Sequence, residues 1–123
     1  MQRTWIALGA LAGMTAVAMA AFAAHGLGGL DAAAASAVRS GIEVQAWHAL
    51  ALLACGLWAP RGGRWADAAG AAFTLGIGLF CGGVYAVGLG IPRLGMMAPV
   101  GGTLLMAGWA LLGVSGLAAP RRP

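Results

Sequence analysis

The chain has 123 residues, 61% of them hydrophobic, and its formal charges are confined to seven arginines and three acids. Soluble domains charge about a quarter of their residues, so this composition excludes a water-soluble globule, and the length accommodates one domain. The net charge of +4 does not point to nucleic acid, because the arginines form no basic stripe and have no interleaved aromatics.

The charges punctuate long apolar runs. Residues 4–30, 44–60, 68–92 and 94–120 carry none. A helix crosses the hydrocarbon core with about 20 apolar residues. The runs do not alternate polar with apolar residues, as the strands of a membrane barrel would. The expected fold is an all-α membrane protein, a four-transmembrane-helix bundle over residues 1–123, with a short interfacial helix between helices 1 and 2. Its crossings are expected at about 5–24, 42–59, 66–89 and 99–119.

The first crossing follows Arg3 and ends at His25-Gly26. A secretory signal peptide is the rival reading, with small-residue cleavage patterns at Ala18-Met19-Ala20 and Ala21-Phe22-Ala23. A retained helix is preferred, because the apolar span exceeds a signal core and carries Gly9-x-x-x-Gly13, a helix-packing pattern. Asp31 is a suitable N-cap for a helix beginning near Ala32. Residues 32–40 are too short and polar to cross; they either lie at the interface or extend the second crossing, with Gly41 as a natural bend.

Pro60 is expected to stop the second crossing, leaving Arg61-Gly62-Gly63-Arg64 as a tight basic loop. Gly90 and Pro92 end the third crossing, and Pro99 opens the fourth. If the N-terminus is cytoplasmic, Arg3, Arg61, Arg64, Arg121 and Arg122 lie inside, and only Arg39 and Arg93 outside. That asymmetry obeys the positive-inside rule and places both termini on the cytoplasmic side of the membrane.

Helices in lipid associate through close packing and hydrogen bonds. On the third crossing every fourth residue is small, from Gly70 through Thr74, Gly78, Gly82 and Ala86 to Gly90. Gly9, Gly13, Gly70, Gly78 and Gly82 are therefore expected at helix contacts. Gly76-x-Gly78 and Gly88-x-Gly90 do not complete a dinucleotide-binding loop. Cys55 and Cys81 lie in apolar runs and at different depths, and they are expected to remain unpaired.

A few polar side chains stand out. Glu43 has Arg39 four residues before it, the spacing of an interfacial ion pair. Gln45 and His48, three apart, share a face, and His48 lies about 9 Å below Ile42 at 1.5 Å per residue. Polar groups at that depth turn toward other helices. Tyr85 and His25 fall at similar heights, so His25, Glu43, Gln45, His48 and Tyr85 form a candidate polar cluster in the outer half. Such a cluster either satisfies itself and sets helix register or lines a small cavity for a solute or proton. No nucleophile motif, zinc spacing, phosphate loop or haem attachment motif accompanies it, and no catalytic residue, metal or cofactor is assigned.

Several segments resemble one family in order along the chain. Ala21-Phe22-Ala23-Ala24-His25-Gly26 is similar to its G-A-F-G-A-H-G turn, and GIEVQAWHALALL (41–53) to its G-x-x-Y-Q-x-x-H-x-L-A-L signature. Leu79–Tyr85, Ala98–Gly102 and Ala107–Ala110 resemble its third and fourth helices. The family is the YgdD-like group of small bacterial inner-membrane proteins, domain of unknown function 423. Val44 replaces its usual tyrosine and Ala23 a common glycine. The resemblance implies a four-helix inner-membrane protein with His25, Gln45 and His48 as motif residues, and no activity. The expected function is that of a non-enzymatic multi-pass membrane protein, with a small transporter or channel using His48 and Glu43 as the alternative. Its expected surroundings are the lipid bilayer, with a second copy or another membrane protein open as a partner.

Overall fold

The computed structural model describes residues 1–121, so Arg122, one of the inner-face arginines, lies outside the described residues. The described residues form three long helices, α1 (Gln2–Gly26), α2 (Ala32–Gly88) and α3 (Met97–Ala118), with a 3-10 turn over Pro92–Met96 before α3. Each helix is long and apolar enough to cross a membrane.

The 57 residues of α2 would extend about 85 Å if straight at 1.5 Å per residue. They are not straight. Gly63 takes φ 52° and ψ −141°, a break inside the helix. A positive φ favours glycine, which has no Cβ to clash. The helix reverses there, and residues far apart in sequence meet: the Cys81 thiol lies 3.4 Å from the Gly41 carbonyl, and the Tyr85 hydroxyl 2.7 Å from Gln45 Oε1. α2 is thus an antiparallel hairpin with a first limb over 32–62 and a second over 64–88.

This corrects the expected loop at Arg61–Arg64. Pro60 sits within the helix, and one residue makes the reversal. No separate interfacial helix forms and Gly41 does not bend. The helix runs unbroken from its Asp31 cap, where Oδ1 accepts the Ala34 N–H at 2.7 Å. Residues 32–40 instead extend the first limb and seat Ala35 and Val38 in a small core with Leu27, Leu30 and Met19. Gly41 is needed for proximity, since a Cβ there would come within 3.1 Å of Val84 and Tyr85.

The other helices flank the hairpin. The first turn of α1 lies against Gly56, and a Cβ on Gly9 would sit 2.9 Å from the Ala49 carbonyl oxygen. Trp5 covers Gly70 of the second limb. α3 runs antiparallel to that limb, with Gly108 against Phe73 and Gly101 against the Phe80 backbone. Among the described residues no Cα atom of α1 comes within 8 Å of one of α3, and each of these helices packs on the hairpin.

The main core holds Trp5, Leu52, Cys55, Ala69, Phe73 and Leu105. The outside is more apolar than water would tolerate: Leu117, Leu89, Val17 and Leu57 are at least 71% exposed. Apolar side chains turned outward on helices of this hydropathy match a surface solvated by lipid.

Gly70 has a close neighbour, the Trp5 indole, 2.5 Å from an added Cβ. Gly13 has a looser one, the Ala49 methyl, 3.9 Å from an added Cβ, whereas Cβ atoms on Gly78 and Gly82 would meet nothing within 4 Å. α1 crosses close to the second limb at Trp5 and Gly70, and higher up the two leave a groove of about 390 Å³ bordered by Leu8, Ile77, Gly78 and Gly82. Close packing of the second limb also uses Gly76 and Gly83, which face α3 and the turn before it.

Candidate functional site

Two polar networks lie inside the apolar body, where one was expected. The first is built on Gln45, which is 5% exposed. Its Nε2 donates to the Ala12 carbonyl at 2.9 Å and to Thr15 Oγ1 at 2.7 Å. Its Oε1 accepts the Tyr85 O–H at 2.7 Å. Thr15 donates in turn to the Leu11 carbonyl at 2.9 Å. One amide therefore links α1 and both limbs of α2. Both of its N–H donors are used, and its oxygen has a partner.

The second network is built on His48. Its Nδ1 is 2.6 Å from the Val44 carbonyl, and its Nε2 is 3.0 Å from the indole nitrogen of Trp109 on α3. A carbonyl only accepts and an indole N–H only donates. These partners assign the neutral ring with its proton on Nδ1, since a protonated ring would set Nε2–H against the indole N–H. Phe73 completes an aromatic triad, its centroid 5.6 Å from that of His48 and 5.3 Å from that of Trp109.

Gln45 and His48 thus share a helix but serve different neighbours. Three residues turn an α-helix through about 300°, leaving the two side chains about 60° apart. That angle suffices to aim one toward α1 and the other toward α3. His25 lies exposed in the last turn of α1, apart from both networks. Glu43 is exposed, as is Arg39, and no ion pair joins them. Of the five expected cluster members, only Gln45 and Tyr85 are brought together.

The sequence reading missed Thr15, Trp109 and Asp67. Thr15 is a polar residue in an otherwise apolar run, and that was its available signal. Trp109 lies at the depth of His48 only once α3 is in register with the second limb. Asp67 accepts the Trp5 indole N–H at 2.7 Å and ties the start of α1 to the hairpin. Trp58 Nε1, near the reversal, is buried without a partner among the described residues. Cys55 and Cys81 are both buried and unpaired. Among the described residues no three His, Cys, Asp or Glu side chains converge on a metal position.

Comparison with known proteins gives a consistent match. Residues 19–102 match the family model described as protein of unknown function (DUF423). A UPF0382 membrane protein of Haemophilus influenzae is 39% identical over 91% of this chain and 92% of its own length. The UPF0382 inner membrane protein YgdD of Escherichia coli K12 is 33% identical over 98% of this chain and 94% of its own. A UPF0382 membrane protein of Staphylococcus haemolyticus is 36% identical, covering 92% and 94%. No solved structure matches.

Proposed function

Because the chain belongs to the DUF423 family, whose relatives are named membrane proteins and carry no assigned activity, we propose that it is a non-enzymatic inner-membrane protein whose buried polar networks hold its helices in register. One observation carries this reading: the polar atoms of Gln45 and His48 are already committed to partners in the chain. A solute site would need donors or acceptors left free to face its ligand. The transport alternative requires His48 and Glu43 to act together, but His48 is buried against α3 and Glu43 is exposed.

In this reading the membrane is crossed four times: by α1, by each limb of α2 and by α3. The limbs have about 31 and 25 residues, or roughly 46 and 37 Å at 1.5 Å each, enough for a hydrocarbon core of about 30 Å. Both termini are cytoplasmic. Support comes from the antiparallel register, which gathers Arg3, Arg61, Arg64 and Arg121 at one end and leaves Arg39 and Arg93 at the other.

His48→Ala and Gln45→Ala in reconstituted protein test the functional part. Lower thermal stability with no ion or solute flux in wild type or variants is the expected result. A pH-dependent flux in wild type that disappears in a still-folded His48→Ala protein would establish transport instead.

A further inference from the structure

The reversal at Gly63 carries more than topology. Arg61 and Arg64 are both exposed there. The Arg61 guanidinium carbon lies 6.0 Å from the Trp58 ring centroid, and that of Arg64 lies 5.3 Å from the Trp65 centroid. These are cation–π distances. A guanidinium lying over a ring still presents N–H edges outward, in a fork that fits two phosphate oxygens. Arg3 and Arg121 belong to the same end of the molecule, and Asp67 is its one acid among the described residues. Asp67 is taken up by Trp5. At the opposite end the side chains of Arg39 and Arg93 are matched in number by Asp31 and Glu43.

We propose that the reversal at Gly63 is a binding site for the phosphate of anionic phospholipids, with Arg61 and Arg64 as its ligands and Trp58 and Trp65 holding them at headgroup depth. The occupant follows from charge complementarity and position. The excess positive charge sits where the hairpin leaves the hydrocarbon, next to indole rings of the kind that settle at the membrane–water interface. The inference rests on the four-crossing reading, which puts Gly63 at a membrane surface.

The test is native mass spectrometry of the full chain released from nanodiscs of mixed phosphatidylcholine and phosphatidylglycerol. Wild-type protein should retain phosphatidylglycerol preferentially. R61Q/R64Q should lower that preference by at least about fivefold, the scale of one basic residue at an anionic surface. R39Q/R93Q, with the same change in net charge, should leave it intact. Equal retention of the two lipids by wild type would overturn the proposal, as would an unchanged preference in R61Q/R64Q or an equal loss in R39Q/R93Q. All four positions are exposed, and melting in detergent establishes that each variant is folded. The nanodisc presents both leaflets alike, so a reversed orientation found with reporter fusions would refute the topology without altering this result.

Discussion

His48 shows how one side chain in an apolar body can be held by its partners' chemistry. Val44 offers only an acceptor to Nδ1, and Trp109 only a donor to Nε2. Hydrogen bonds between membrane helices average about 0.6 kcal/mol. Leaving a buried acceptor unpaired costs about 1–3 kcal/mol, so the orphaned atom dominates when one partner is lost. Trp109→Phe keeps an aromatic ring but removes the donor, and a loss of that size is expected in detergent denaturation. Glu43→Gln, at an exposed position, should stay within about 0.5 kcal/mol of wild type. Equal stability of Trp109→Phe and wild type would show that the bond to His48 contributes nothing.

The second limb of α2 separates glycines that look alike in sequence. Gly70 lies under Trp5 and Gly76 under Leu105, while Gly78 and Gly82 border an open groove. Gly101 of α3 is tighter still, because its would-be Cβ meets the Phe80 backbone, which cannot rotate away. Gly101→Ala is therefore expected to lower the melting temperature and folded yield sharply. Gly78→Ala and Gly82→Ala should be neutral, or stabilising by up to about 1 kcal/mol through helix propensity. A large loss in the last two would mean that another chain packs on that groove. Gly63→Ala tests the reversal: a side chain at φ 52° and ψ −141° costs about 1–3 kcal/mol. A Gly63→Ala protein as stable as wild type would show that the hairpin does not depend on this backbone conformation.

At the scale of the whole molecule, the hairpin is the centre and α1 and α3 are its flanks. Reporter fusions at residue 28, at the reversal, at Arg93 and at the C-terminus should read outside, inside, outside, inside. A C-terminus on the outer side would refute the arginine argument. The shallow grooves between flanks and hairpin lie along its sides.

Membrane location and helical class were legible in the sequence, because burying the backbone in lipid demands long uncharged helical runs. The Asp31 cap was legible too, since capping is local chemistry between residues three apart. Gln45, His48 and Tyr85 stood out because polar side chains at membrane depth need partners. Which partners they take was decided only by tertiary structure. The reversal at Gly63 sets the register of the limbs and so pairs Tyr85 with Gln45. The antiparallel placement of α3 brings Trp109 to His48, 61 residues away. A one-dimensional pattern records depth and helical face, but the angle at which helices cross depends on which small residues are covered. Gly70 and Gly78 are equivalent in the pattern, and only the path of α1 sets one under an indole and the other beside open space.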